Sequence, residues 1–277
     1  MYLDESITAA EAIRLHENID LAMQFLHEPL STKTFDIRIF DDYESLKADM
    51  LDMTPQYMVS SVNYDLSEEG VFGADPECEI GGSVGVTYGE GWIRPRIFIL
   101  TECGWAKDSD GIYQLTDPDV IAHEITHVAQ DSWFGTSYYT WSCFVPKWFT
   151  EGQAQFVSAQ IATLDNNFDH RLFRSYWIYW GPDSKLEPDE DYESMYGPYS
   201  DGAFAIEYLV GKYGWESFDR LVTKLQVIPV YECGDSDVHE RFAEAFKITY
   251  GISLASFYKQ IEGYIDWNLS ELEDTDN

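Results

Sequence analysis

Asp117-Pro-Asp-Val-Ile-Ala-His123-Glu124-Ile-Thr-His127-Val-Ala-Gln130 is the stretch on which the reading of the whole chain turns. It contains His-Glu-x-x-His. Asp117 suits a helix N-cap and Pro118 the first helical position, while Ile121, Ile125 and Val128 keep a helical period. In a helix, residues four apart stand one above the other on one face. His123 and His127 then offer two imidazoles to one zinc ion, and Glu124 stands beside the first of them, within reach of a water on that ion. Zinc that does chemistry needs a third protein ligand and an open fourth position. In His-Glu-x-x-His-x-x-Gly-x-x-His a third histidine follows, but here Gln130 and Trp133 occupy the glycine and histidine slots, so the remaining ligand is expected to be a carboxylate from elsewhere.

Upstream, residues 4 to 28 read as an amphipathic helix with Ile13, Leu21, Phe25 and Leu26 among its apolar positions. Phe35, Ile37 and Ile39 alternate with Asp36 and Arg38 as in a strand, and a short helix is expected from Asp42 to Leu51. Residues 54 to 80 read as irregular and acidic. Gly81-Gly-Ser-Val-Gly-Val-Thr-Tyr88 and Arg96-Ile-Phe-Ile-Leu100 read as two strands leading into the histidine helix. Downstream, helices are expected over about 146–164, 198–213, 215–227, 236–248 and 253–268. Gly214 and Gly251 stand at the breaks, where a left-handed helix end favours glycine, and Ser236 and Ser253 are candidate N-caps. Phe242, Phe246, Phe257, Ile261 and Ile265 are assigned to the core. The pattern predicts an α+β chain with a mixed sheet-and-helix lobe over 1–116 and a mainly helical lobe over 117–277 carrying the metal site, the two making one catalytic unit.

The chain has 277 residues, enough for a sizeable core, and 45% hydrophobic content marks it as globular. Asp and Glu number 50 against 17 Lys and Arg, a formal charge of −33. Such a charge repels phosphates, so nucleic acid and anionic membrane are excluded as expected partners. It reads as a solvated surface or as adaptation to a salty medium. No run reaches the length of a membrane helix, so no membrane insertion is expected. Cys78, Cys103, Cys143 and Cys233 show no Cys-x-x-Cys spacing. They permit two disulfides in any of three pairings, or four buried thiols. The N-terminus lacks the basic start and apolar core of a signal peptide. The expected compartment is the cytoplasm if the chain is complete, and the cell envelope or exterior if a leader was trimmed. Oligomeric state stays open.

Two later stretches bear on the site. In Trp148-Phe-Thr-Glu151-Gly-Gln-Ala-Gln-Phe156, a glutamate early in an apolar helix is followed by small residues that allow close approach to another helix. A glutamate in a first helical turn is also what the helix dipole favours on an ordinary surface. In Tyr196-Gly-Pro-Tyr199-Ser-Asp-Gly202, a tyrosine precedes a glycine by three.

His-Glu-x-x-His, then Trp-x-x-Glu-Gly-x-Ala, then Tyr-x-x-Gly resembles the gluzincin metallopeptidases. That group includes thermolysin-like enzymes, the gluzincin aminopeptidases and bacterial collagenases, and the likeness is closest to compact bacterial peptidase MA domains. It spans about residues 80 to 268. The resemblance implies a thermolysin-like metallopeptidase catalytic domain with one zinc ion on His123, His127 and Glu151, Glu124 as general base, and Tyr199 stabilising the oxyanion. It implies a peptide or protein substrate. Gln155, one turn beyond Glu151, is a candidate to orient a ligand. Tyr192, Tyr196 and Tyr208 compete with Tyr199 for its role. The strand from Gly82 to Tyr88 is expected to pair with extended substrate, and Phe173 to Trp180 to line the cleft or pack in the core. His16, His27, His170 and His239 read as structural or exposed. The chain departs from the group in two ways. It has no clear Gly-x-Met-Glu-Asn, the amine-recognition motif of the aminopeptidases, and its connection from His127 to Glu151 is longer. Two rival readings are a metal- or peptide-binding module that keeps the fold without turnover, and a zinc hydrolase of a non-peptide amide.

Overall fold

The structure is a computed structural model, and it describes residues 1–5, 7–67, 84–88, 94–101, 117–134, 145–164, 197–226 and 238–273. Among the described residues it is α+β, mostly helical with one four-stranded sheet. The chain divides into two compact units, Met1–Ala129 with Leu164–Phe168, and Gln130–Thr163 with Asp169–Asn277.

The first unit is built on a sheet in the order β1-β2-β4-β3, formed by β1 (Tyr2–Leu3), β2 (Asp36–Phe40), β3 (Val84–Tyr88) and β4 (Arg96–Leu100). β1 and β4 run parallel to β2, and β3 runs antiparallel to β4. Ile97, Phe98, Ile99 and Leu100 are all buried, as an interior strand covered on both faces requires. β2 turns Ile37 and Ile39 inward. On its other face Arg38 forks onto Asp49 at 2.5 and 2.6 Å, with the Tyr2 ring 4.3 Å beneath the guanidinium.

Helix α1 runs over Ala9–Phe25, shorter than the expected 4–28. Two local causes set its start. Tyr2 and Leu3 are drawn into the sheet opposite Arg38 and Ile39. Thr8 closes a capping box with Glu11, at 3.3 Å from the Glu11 amide to Thr8 Oγ1 and 2.7 Å from the Thr8 amide to Glu11 Oε2. Its buried residues are Leu15, Asn18 and Ala22, with Leu26 just past its end, whereas Ile13 and Phe25 are exposed. The short α2 (His27–Leu30) follows. Helix α3 (Tyr43–Met53) begins at Asp42, whose carboxylate accepts the Ser45 amide at 2.7 Å, and packs on β2 and β4. Hydrogen bonding from the Ser45 side chain, and then from its amide, holds the Asp42 carboxyl below its ordinary range. The described part of the stretch read as irregular, residues 54–67, holds a 3₁₀ turn (Gln56–Met58) and α4 (Val59–Asp65), which bury Met58, Val62 and Leu66 at a four-residue interval. The phenol of Tyr88, at the end of β3, donates to the Asp65 carboxylate.

Helix α5 (Asp117–Phe134) carries His-Glu-x-x-His, and the division between the units falls inside it. The second unit is helical: α6 (Lys147–Ala162), α7 (Gly197–Tyr213), α8 (Trp215–Gln226), α9 (Val238–Tyr250) and α10 (Leu254–Glu273). These lie within a few residues of the expected ranges. Gly214 and Gly251 take φ of 75° and 73°, the left-handed conformation that ends α7 and α9. Ser253 Oγ accepts the Ser256 amide at 3.1 Å at the start of α10. Ser236 lies outside the described residues. Phe242, Phe246, Phe257 and Ile261 are core, and Ile265 is half-buried.

Trp148 anchors this unit. It is fully buried, in ring contact with Phe149, Phe242, Phe257 and Tyr258, and its indole N–H reaches the Tyr258 hydroxyl at 3.1 Å. α6 crosses α7 with backbone against backbone. A Cβ built on Gly152 would lie 2.2 Å from the Gly202 carbonyl carbon, and one on Gly202 would lie 2.4 Å from the Trp148 carbonyl oxygen. Only glycine fits at either position.

Candidate metal centre

α5 is buried along nearly its whole middle, from Ile121 to Asp131. Ile121, Ala122, Ile125, Val128 and Ala129 fill the apolar part of that surface, and His123, Glu124 and His127 are buried among them together with Thr126, Gln130 and Asp131. Burying three ionisable side chains on two turns of helix is costly unless each is compensated.

The helical repeat places the two imidazoles edge to face, centroids 4.8 Å apart, with their Nε2 atoms 3.1 Å apart. Two nitrogens bound at 2.0–2.1 Å to one tetrahedral ion stand about 3.3 Å apart, so the pair is spaced as two ligands of a single cation. Glu151, in the second turn of α6, is also buried. One ligand atom from each of His123, His127 and Glu151 lies within 4.8 Å of the other two. Two imidazoles and a carboxylate are the donor set of a catalytic zinc site, and leave one tetrahedral position open. The all-oxygen set that calcium or magnesium prefers is not what these residues offer.

The Glu124 carboxylate is held from β3. Thr87 Oγ1 donates to Glu124 Oε2 at 2.6 Å and lies 3.2 Å from the Glu124 backbone carbonyl. The glutamate's methylenes cross β3 at Gly85, where an added Cβ would lie 2.8 Å from Glu124 Cγ. Gly85 and Thr87 were read only as part of a strand. Their role depends on a contact between residues 37 apart in sequence, which no local pattern encodes.

Gln130 enters the sequence reading only as the residue in the glycine slot of the longer His-Glu-x-x-His-x-x-Gly-x-x-His pattern. Its side-chain amide donates to the Thr150 carbonyl at 2.8 Å and to Gln153 Oε1 at 2.9 Å, tying the end of α5 to both neighbours of the Glu151-Gly152 pair. Gln153 Oε1 is thereby satisfied, while its Nε2 is buried with no hydrogen-bond partner among the described residues. Gln155 is half-buried on α6.

Tyr199 lies in the first turn of α7, half-buried, with Lys147 Nζ 5.7 Å from its ring centroid. The hydroxyl of Tyr208 is engaged elsewhere, 2.9 Å from Gln260 Oε1 and 2.7 Å from Lys212 Nζ. Tyr192, Tyr196, Phe173 to Trp180, Gly81 to Ser83, His170 and the four cysteines lie outside the described residues. His16 and His27 are exposed on the first unit. No helix among the described residues is long and apolar enough to cross a membrane.

No family model, curated protein or solved structure matches this chain. Its own residues therefore carry the functional argument.

Proposed function

We propose that this protein is a zinc-dependent metallopeptidase with a thermolysin-like catalytic arrangement. The observation that carries the reading is the buried convergence of His123, His127 and Glu151, with Glu124 beside the first of them. These three residues would hold the ion. When bound, zinc supplies an acidified water and a Lewis acid for the scissile carbonyl.

The chain's own groups do the rest. The Glu124 carboxylate accepts a proton from the attacking water and returns it to the leaving amine as the C–N bond breaks. The Tyr199 hydroxyl donates to the developing oxyanion, a role supported by its place three residues before Gly202 and by the prior engagement of Tyr208. β3 is the last strand of the described sheet, so an extended peptide can add to it with main-chain hydrogen bonds.

The test is zinc stoichiometry together with cleavage of a quenched-fluorescence peptide library. Wild type is expected to bind one zinc per chain and cleave. Glu124→Gln is expected to keep the zinc and lose cleavage, and Glu151→Ala to lose the zinc. Zinc binding without turnover by wild type on any peptide or amide would leave a binding module. Unchanged zinc content in Glu151→Ala would remove the third ligand.

A further inference from the structure

The general base assigned above needs more than proximity to the metal ligands. A carboxylate on a flexible side chain has two equivalent oxygens, and a proton taken on the wrong one is carried away from the leaving group. Geometry in the first unit addresses this.

Glu124 leaves α5 and lies across the face of β3 that presents Gly85 and Thr87, two residues apart and so on one side of the strand. Gly85 provides the empty space the methylenes need. Thr87, itself buried, closes on Oε2 at 2.6 Å, the range of a charge-assisted bond. Among the described residues no other side chain bonds this carboxylate. The Thr87 hydroxyl has one proton and two acceptors within reach, and the carboxylate oxygen is the nearer of the two.

We propose that Thr87 is a positioning residue for Glu124, holding Oε2 so that the catalytic proton is taken and returned at Oε1. This rests on the peptidase reading. In the step it serves, a water O–H bond breaks and the proton goes to Oε1, while the water oxygen bonds to the carbonyl carbon and the carbonyl π pair moves onto its oxygen, to return as the C–N bond breaks. Oε2 becomes the carbonyl oxygen of the neutral acid and still accepts from Thr87, so the carboxyl group does not turn over between taking the proton and giving it up. The proton then passes from Oε1 to the departing amine nitrogen as the C–N bond breaks. The strand that would hold the peptide backbone thus also fixes the base, and substrate and base share one reference frame.

The experiment compares wild type, Thr87→Val, Thr87→Ser and Glu124→Gln, all zinc-loaded, on one peptide cleaved by wild type. Valine keeps the shape and loses the hydroxyl; serine keeps the hydroxyl and loses the methyl. Thr87→Val is expected to lower kcat about 10–100-fold with KM within about twofold, as removal of a group orienting a catalytic side chain does. Zinc stoichiometry should not change, and Thr87→Ser should recover most of the lost kcat. A crystal structure of zinc-free Thr87→Val is expected to show the Glu124 carboxylate displaced from its wild-type position. Full kcat in Thr87→Val with an inactive Glu124→Gln overturns the role of Thr87 and spares the peptidase reading. Equal loss in the serine and valine variants, or an unmoved carboxylate, overturns it too. No cleavage by zinc-loaded wild type, or undiminished cleavage by Glu124→Gln, sinks the peptidase reading and Thr87's role with it. Should Thr87→Val fail to fold, Thr87→Ala takes its place with the same expectations.

Discussion

Asp65 is the residue at which burial and titration meet. Removal from water raises its pKa above the usual carboxylate range, and the phenol of Tyr88 pulls in the opposite direction without cancelling the rise. A raised carboxyl pKa means that the folded chain binds the proton more readily than the unfolded one. The group therefore costs no stability below the unfolded pKa, and its cost grows as pH climbs from there through the folded value. Asp65→Asn keeps an oxygen to accept from Tyr88 and removes the charge. The variant is expected to melt above wild type at pH 7 and to match it near pH 3, measured by calorimetry across that range. A gap of the same size at both ends would show that the gain is not one of titration. At this scale the sequence was legible only where chemistry was local. His123, Glu124 and His127 could be read because one helical turn brings them together, and Glu151 because small residues follow it. Thr87 and Gln130 could not, since each acts through a contact with a distant segment.

At the scale of elements, the crossing of α6 and α7 is the least tolerant feature of the second unit. A methyl group at Gly152 would overlap the backbone of Gly202, which has no side-chain rotamer to yield. Gly152→Ala is expected to destabilise by about 1–3 kcal/mol or more, as overpacking does, and to weaken zinc binding because Glu151 is the preceding residue. Gly211, also on α7, has nothing within 4 Å of an added Cβ. Gly211→Ala is expected to stabilise by roughly 0.5–1 kcal/mol through helix propensity alone. Urea midpoints of the two variants check both signs. Longer helices and strands with regular apolar spacing were legible, and so were the ends marked by Gly214, Gly251 and Ser253. α1 was overread at both ends, because its apolar spacing does not mark the start that Thr8 caps or the end at Phe25. β1 was missed because two residues carry no periodicity of their own, and α4 because seven residues span barely two turns.

At the scale of the whole molecule, the excess of acids is the dominant property. A formal charge of −33 opposes compaction through self-repulsion. Screening shortens from about 30 Å at 0.01 M salt to about 3 Å at 1 M. The melting temperature is expected to rise with sodium chloride over that range. A flat response would mean that the acids are compensated locally. The charge was read directly from composition, but composition does not say which acids lie inside. Glu124, Asp131, Glu151 and Asp201 are all buried, which the charge total alone does not reveal.

The meeting of Gly152 with Gly202 also bears on how freely this protein can be altered. Most ligand helices are held by interlocking side chains, so a change of one methylene anywhere in the lattice is passed on to the ligand. Here the residue next to Glu151, the proposed ligand, is stopped by main chain, which every substitution elsewhere leaves in place. A library that randomises the apolar positions of α6 while fixing those two glycines should yield many folded members that still load the ion, and freeing either glycine should empty that library.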